Sequence, residues 1–172
     1  MDTAARRKQI QEELGRAQHP VSATALAEQL GVSRQIIVGD VALLRAAGVD
    51  ISATPRGYML RREAPGIVRT VACRHTAEDM EAELNAMVDQ GCTVLDVIVD
   101  HPIYGQLTGP LQLRSRYDVQ QFVARCREAE AAPLSLLTEG IHLHTLACPD
   151  EGRYQSVLAA LGQLDFLLED TL

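Results

Sequence analysis

The 172-residue sequence contains no tryptophan, and aromatic residues make up only 3% of it. We therefore expect an aliphatic core and no surface that binds single-stranded nucleic acid by stacking bases on several aromatic rings. No apolar run approaches the about 20 residues of a membrane span. The first residues, MDTAARRKQIQEEL, are charged where a signal peptide has an apolar segment. We expect a cytoplasmic protein that does not bind membranes.

The sequence also lacks the cysteine patterns of zinc ribbons and thioredoxin-type sites. Cys73, Cys92, Cys126 and Cys148 are separated by 19, 34 and 22 positions, so no CxxC pair exists. Without a secretory signal, a disulfide framework is disfavoured as well. We expect all four to be small hydrophobic residues of the core.

Charge divides the chain into two parts. Residues 1–62 contain nine Lys/Arg and six Asp/Glu, a net charge of +3, whereas residues 63–172 contain seven and seventeen, a net charge of −10. A short polar segment, RREAPG, lies at the boundary (residues 61–66). The asymmetry predicts two domains, 1–62 and 66–172, with different partners.

Residues 4–47 have the pattern of a helix-turn-helix. A first helix over residues 4–17 is expected to start after a Thr3 cap. Ser22 and Ser33 are expected to cap two further helices, and Gly31 stands where a left-handed residue ends the first of these two. Residues 51–60, ISATPRGYML, predict a β-hairpin, which makes the domain a winged helix.

The recognition helix of this domain is expected to read double-stranded DNA. Ser33, Arg34 and Gln35 open it, and Arg and Gln suit bidentate contacts with guanine and adenine. Arg45 is a candidate contact to phosphate, and the wing residue Arg56 is a candidate contact to phosphate or the minor groove. The bases of the first helix, residues 6–8, either face an external anion or form a solvated surface.

Residues 67–172 alternate between strand and helix patterns. We expect strands at 67–74, 93–101, 107–114, 134–137 and 141–146, and helices at 76–90, 117–131 and 151–169. The order βαββαββα predicts an α+β fold, a two-layer sandwich with helices on one face of a mainly antiparallel sheet.

Histidines of this second domain form a candidate metal site. His142 and His144 share one face of a strand, about 7 Å apart, and His75 ends another strand. Glu83 borders an apolar helix stripe, where a carboxylate needs a cation. Zinc, nickel, iron and manganese suit such donors. The alternative is that the paired histidines are ordinary exposed residues; Cys148 and Asp150 are weaker ligand candidates.

The segment DHPIYG supplies a second candidate site. His101, Tyr104 and Gly105 could line a small pocket, in which glycine permits close approach of a ligand. The alternative is an ordinary β-turn, in which proline and glycine serve the conformation alone.

Taken together, GVSRQIIVGDVALLRAAG, ATPRGYML, the His75-to-Glu83 spacing, DHPIYG and HLH resemble the nicotinic-acid-responsive transcriptional repressor (NiaR) family, over nearly the full chain. The resemblance implies a homodimeric repressor of NAD-biosynthesis and niacin-uptake genes, with an HPr-like second domain called 3H. It implies nicotinic acid as co-repressor, at a site that we expect to include His101, Tyr104 and Gly105. It also implies a divalent metal, for which we expect zinc or nickel, on His75, Glu83, His142 and His144.

Other functions compete with this expectation. A winged-helix regulator could sense the metal itself, or the metal could be structural. Three histidines, a glutamate and a metal could also activate water or serve phosphotransfer. No serine or cysteine nucleophile motif is visible, and a catalytic domain would leave the winged helix without a role, so we do not expect an enzyme.

Overall fold

The computed structural model describes residues 2–61, 66–130 and 132–168. The chain divides into two units, Met1–Glu63 and Ala64–Leu172, where the sequence analysis expected domains at 1–62 and 66–172. Residues 62–65 of the expected linker lie outside the described residues. In the described part of the chain, no helix is both long enough and apolar enough to cross a membrane.

The first unit is the predicted winged helix. Its elements are α1 (Thr3–Arg16), α2 (Ala23–Leu30), α3 (Arg34–Ala46), β1 (Ile51–Thr54) and β2 (Gly57–Leu60). The two strands pair antiparallel. Ser22 and Ser33 cap α2 and α3 by accepting hydrogen bonds from Ala25 N and Ile36 N. The aliphatic core formed by the helices and β1 includes Ile10, Leu14, Leu26, Ile37 and Val41.

The start of α1 differs from the prediction. The helix begins at Thr3, and Asp2 precedes it without a side-chain capping bond. Arg6 does not face an external anion, because its Nε lies 2.5 Å and its Nη2 3.3 Å from the carboxylate of Asp40. Asp40 is buried in α3 and needs a cation. The ion pair therefore ties α1 to the recognition helix.

The second unit is α+β, as predicted. Its regular elements are β3 (Ile67–Arg74), α4 (Met80–Val88), β4 (Thr93–His101), β5 (Gly105–Leu113), α5 (Arg116–Glu128), β6 (Ile141–Cys148) and α6 (Glu151–Gln163). The sheet is antiparallel throughout, in the order β3-β6-β4-β5. Alternate strand residues pack against the three helices in one aliphatic core, which includes Val71, Leu84, Met87, Leu146 and Leu161.

The strand predicted at 134–137 is wrong. Leu134–Thr138 forms a 3₁₀ helix, and a second one, Ala77–Asp79, precedes α4. The local hydrogen bonds from Leu136 N to Pro133 O and from Gly140 N to Ser135 O hold the chain in turns instead of an extended strand. The regular elements therefore follow the order βαββαβα, with one strand fewer than predicted.

Two helices are also predicted to extend too far at their C-terminal ends. α5 ends at Glu128 and α6 at Gln163, while the predicted ends, residues 131 and 169, lie outside the described residues. After α6 the chain turns at Asp165, whose φ is 59°. It then runs beside β3, where Phe166 O accepts a hydrogen bond from Arg74 N at 2.8 Å. This return places Phe166 next to the residue that follows β3.

Gly39 lies in the middle of α3, is exposed, and has open space where a Cβ would stand. We expect Gly39→Ala to raise the free energy of unfolding of the first unit by about 1 kcal/mol, because glycine costs that much in a helix interior. Urea denaturation followed by circular dichroism measures the change. Gly31→Ala, at a position with φ of 65°, is the matched control and should destabilise the unit. Unchanged or lower stability of Gly39→Ala would contradict the expectation.

Candidate functional site

A buried carboxylate occupies the centre of the second unit's polar site. Glu83 lies on α4 among the apolar residues Leu84, Met87 and Val88, and only 1% of its surface is exposed. Ionised carboxylates are rarely buried without a cation or several hydrogen bonds. The position of Glu83 on the core-facing side of α4 therefore requires partners from the sheet.

Three imidazoles supply these partners. His75 Nε2 lies 2.7 Å and His144 Nε2 3.3 Å from Glu83 Oε2, and His142 Nε2 lies 2.7 Å from Oε1. The three side chains are 2–3% exposed. His142 and His144 share the core face of β6, as the two-residue period predicts. The structure thus brings the four predicted metal-site residues together, and the strand histidines are not exposed surface residues.

The backbone fixes the orientation of each ring. The Nδ1 atoms of His75, His142 and His144 lie 2.6, 2.8 and 2.7 Å from the carbonyl oxygens of Thr76, Gly140 and Asp96. A carbonyl only accepts hydrogen bonds, so each Nδ1 carries a proton and each ring points its Nε2 at Glu83.

This arrangement fits a metal ion. Nε2 lone pairs repel a carboxylate unless a proton or a cation lies between them. His75 Nε2 is buried and has no hydrogen-bond partner despite its short distance from Glu83. Histidine ligands of metals are typically held by a hydrogen bond from Nδ1 to a carbonyl or carboxylate. The donor set of three imidazoles and one carboxylate suits a divalent transition metal.

The site is strongly polarised without a metal. Burial lowers the pKa of His75 and of His144, but the attraction of Glu83 outweighs it, and both pKa values are raised. Burial raises the pKa of Glu83, but the charge of His144 and the hydrogen bonds from the imidazoles bring it well below its ordinary range. Glu83 therefore favours protons on His75 and His144, and metal binding has to displace such protons.

Gly140 aligns two of the histidines. Its carbonyl accepts hydrogen bonds from His142 Nδ1 at 2.8 Å and from His75 N at 3.4 Å. Its φ is 88°, and a Cβ on it would overlap the carbonyl oxygen of His75. Glycine is thus required both by the backbone conformation and by the close approach of the two chain segments.

Sequence reasoning missed Cys73 as part of the site. Cys73 lies opposite His142 in the β3–β6 register, and its Sγ and the ligand atoms of Glu83 and His142 all lie within 4.8 Å of one another. Burial and the nearby Glu83 carboxylate raise the pKa of its thiol. The position of Cys73 depends on which strand lies beside β3, which no local sequence pattern indicates.

The weaker ligand candidates lie elsewhere. Cys148 is at the far end of β6, six residues from His142 and about 20 Å away by strand rise. Asp150 is the N-cap of α6 and accepts a hydrogen bond from Arg153 N at 2.8 Å.

The predicted effector residues form the exposed turn between β4 and β5. His101 Nδ1 accepts hydrogen bonds from Ile103 N at 3.1 Å and Tyr104 N at 3.2 Å, and the rings of His101 and Tyr104 are 5.0 Å apart. Tyr104 is 75% exposed, and Gly105 has a φ of 71°. Val97, the neighbour of His144, precedes His101 by four residues, about 13 Å along β4. The structure therefore does not bring the turn to Glu83.

The predicted DNA contacts lie on α3 and in the β1–β2 turn. Ser33, Arg34, Gln35 and Arg45 are exposed, and Arg56 is half-buried in the turn. Sequence reasoning did not single out Ile36 and Leu43, which are 42% and 55% exposed on the same helix. The sequence could have revealed them, because they are aliphatic residues that do not lie on the core face formed by positions 37, 41 and 44. Exposed aliphatic groups on a recognition helix suit contact with thymine methyl groups.

Comparisons with known proteins agree with this architecture. Residues 68–170 match the 3H domain, and residues 6–59 match an HTH domain. The chain is 42% identical over 165 residues to the probable transcription repressor NiaR of Thermotoga maritima, covering 96% of this chain and 94% of that protein. It is 41% identical over 171 residues to the transcription repressor NadR of Bacillus subtilis, covering 97% and 95%. These matches confirm the resemblance that the motifs indicated.

We expect Gly140→Ala to lower the free energy of unfolding of the second unit by about 3 kcal/mol, because left-handed strain and steric overlap add. Gly91→Ala is the matched control, since its φ is 79° but a Cβ there meets nothing within 4 Å. It should cost about 1 kcal/mol from strain alone. Urea denaturation with a chelator present measures both. If both variants lose the same free energy of unfolding, the close approach of residue 140 to the carbonyl oxygen of His75 does not contribute.

Proposed function

This chain belongs to the 3H-domain family of helix-turn-helix transcription repressors, and on that premise we propose that a divalent metal ion and nicotinic acid control its binding to operator DNA. The observation that carries the metal proposal is the convergence of three imidazole Nε2 atoms on the buried Glu83 carboxylate. The regulated genes, by the family resemblance, are those of NAD biosynthesis and niacin uptake.

DNA binding is assigned to the first unit. Residues 1–62 have a net charge of +3, in contrast to −10 for residues 63–172, and phosphate attraction supplies most non-specific affinity for DNA. Arg34 and Gln35 at the start of α3 are exposed and can reach base edges in the major groove. Ser33 uses its hydroxyl oxygen as the helix cap. Arg45 and Arg56 serve as contacts to the DNA backbone.

The metal is assigned to His75, Glu83, His142 and His144, with zinc or nickel as the expected ion. When bound, the ion supplies a concentrated positive charge and a position that can accept an anionic ligand. The residues hold it through Nε2 atoms and carboxylate oxygens, and the carbonyls of Thr76, Gly140 and Asp96 keep the rings oriented.

Nicotinic acid is proposed as co-repressor because it is a planar anion with a ring nitrogen, two features that a metal site and aromatic side chains can recognise. His101 and Tyr104 are accessible for hydrogen bonding and stacking, and Gly105 leaves the turn open. Within one chain, this turn is separate from the cluster of Glu83, His75, His142 and His144, which we call the Glu83 cluster. A Tyr104→Ala variant therefore tests at which of the two places nicotinic acid binds.

The repressor is proposed to act as a homodimer. Helix-turn-helix dimers bind two half-sites about one helical turn of DNA apart. Ligand binding to the second unit would then favour the dimer geometry in which both recognition helices fit adjacent major grooves.

A metal sensor is the second candidate function. The site side chains are only 1–3% exposed, which favours a small cation over an organic molecule as their ligand. Under this alternative, the metal alone would switch the affinity for DNA, and nicotinic acid would have no effect.

We expect Gln35→Ala to weaken binding to a duplex selected by the wild-type protein by about 1–3 kcal/mol and to relax specificity at one position. Fluorescence anisotropy with the selected duplex and single-base variants measures both changes. Gln29→Ala, also exposed but on α2, is the matched control and should bind as the wild type does. If Gln35→Ala binds the selected duplex as tightly as the wild type does, Gln35 does not contact the DNA.

Calorimetric titration of nicotinic acid into the zinc-loaded protein is expected to give saturable binding that nicotinamide does not reproduce, because nicotinamide lacks the negative charge. Glu83→Gln should lose zinc and acid binding together, whereas Glu81→Gln, on the same helix but with a side chain 39% exposed, should retain both. Binding of the acid with unchanged DNA affinity would refute the co-repressor role. A DNA response to zinc alone would establish the metal sensor.

A further inference from the structure

Cys73 brings to the Glu83 cluster a sulfur atom that the proposed metal site does not use. The side chain is fully buried and lies on the core face of β3, directly across from His142 on β6. Its Sγ, a carboxylate oxygen of Glu83 and a ring nitrogen of His142 lie within 4.8 Å of one another. These three atoms can approach a common centre with only small side-chain movements.

A second observation, at His75, points to a ligand in this cluster. His75 Nε2 is buried and makes no hydrogen bond although Glu83 Oε2 lies 2.7 Å away, while its Nδ1 lies 2.6 Å from Thr76 O. The His75 and His142 rings meet edge to face at 4.8 Å, and the ring of Phe166 lies 5.0 Å from that of His75. The His75 ring is therefore in contact with both His142 and Phe166.

We propose that Cys73 is a sulfur ligand of the metal ion held by Glu83 and the three histidines. This assignment rests on the proposed metal site and deepens it. Coordination forms a bond from Sγ to the metal and releases the thiol proton to solvent, so no oxidant or reductant takes part. Thiolates select soft and borderline ions, so the site should prefer zinc, cobalt and nickel to manganese and magnesium.

A sulfur ligand and a cysteine that only packs in the core differ in their effect on the spectrum of the bound metal. A thiol that only packs in the core would change stability when replaced, but it would leave the electronic spectrum of the bound metal unchanged. A sulfur ligand adds a thiolate-to-metal charge-transfer band to the spectrum of a cobalt-loaded site. It also adds a metal–sulfur distance of about 2.3 Å beside the shorter bonds to nitrogen and oxygen.

The test is absorption spectroscopy of the metal-stripped full chain titrated with Co²⁺. We expect visible d–d bands together with a near-ultraviolet charge-transfer band, and we expect Cys73→Ser to lose the second while keeping the first. Cys126→Ser, a half-buried cysteine on α5, is the matched control and should keep both. Zinc affinity should fall roughly tenfold in Cys73→Ser, while manganese affinity should change little, since oxygen ligands suit manganese.

X-ray absorption of the zinc-loaded wild type keeps the test independent of whether Cys73→Ser folds. A sulfur shell at about 2.3 Å supports the proposal. The proposal is overturned if the cobalt-loaded wild type has d–d bands but no charge-transfer band and the zinc-loaded wild type has no sulfur shell. That result would leave the histidine–glutamate site intact. A charge-transfer band that persists in Cys73→Ser would assign the sulfur to another cysteine. Failure to bind cobalt or zinc at all would overturn the proposed metal site itself.

Discussion

The geometry of the second unit's site depends on the buried charge of Glu83. An unpaired carboxylate in a protein interior costs several kcal/mol, so α4 can pack on the sheet only where cations or proton donors meet it. His75, His142 and His144 meet this requirement from the end of β3 and from the core face of β6. The contact therefore fixes the position of α4 along the sheet more narrowly than aliphatic packing alone would.

The site is oriented by backbone atoms of separate elements. Thr76 precedes the first 3₁₀ helix, Asp96 belongs to β4, and Gly140 precedes β6, yet each carbonyl holds one imidazole through Nδ1. Rotation of any ring would break a short hydrogen bond, and the bond of His142 is fully buried. A change in the packing of β4 against β6 would thus move His144, so the cluster is mechanically coupled to the sheet.

Local patterns predicted those parts of the structure that local physics determines. β3 and β4 have their predicted bounds because alternating apolar residues define a strand, and Ser22, Ser33 and Gly31 cap helices where expected. Residues 134–137, LSLL, were wrongly predicted to form a strand, since so short an apolar run fits a strand or a turn of helix equally. The pairing of Cys73 with His142 joins residues far apart in sequence and follows from sheet order, so the sequence could not reveal it.

The ligand set has an electrostatic consequence for the proposed effector. Residues 63–172, with a net charge of −10, repel a monoanion unless a local positive charge outweighs the surrounding carboxylates. A divalent ion on Glu83 and three neutral imidazoles gives the site a formal charge of +2 − 1 = +1, which attracts a carboxylate. A thiolate from Cys73 brings the sum to zero, so an anion would then bind through a bond to the metal instead of long-range attraction. The affinity for nicotinate would in that case not fall as salt is added, because only repulsion by the surrounding carboxylates is left to be screened, whereas a site without the sulfur would lose affinity.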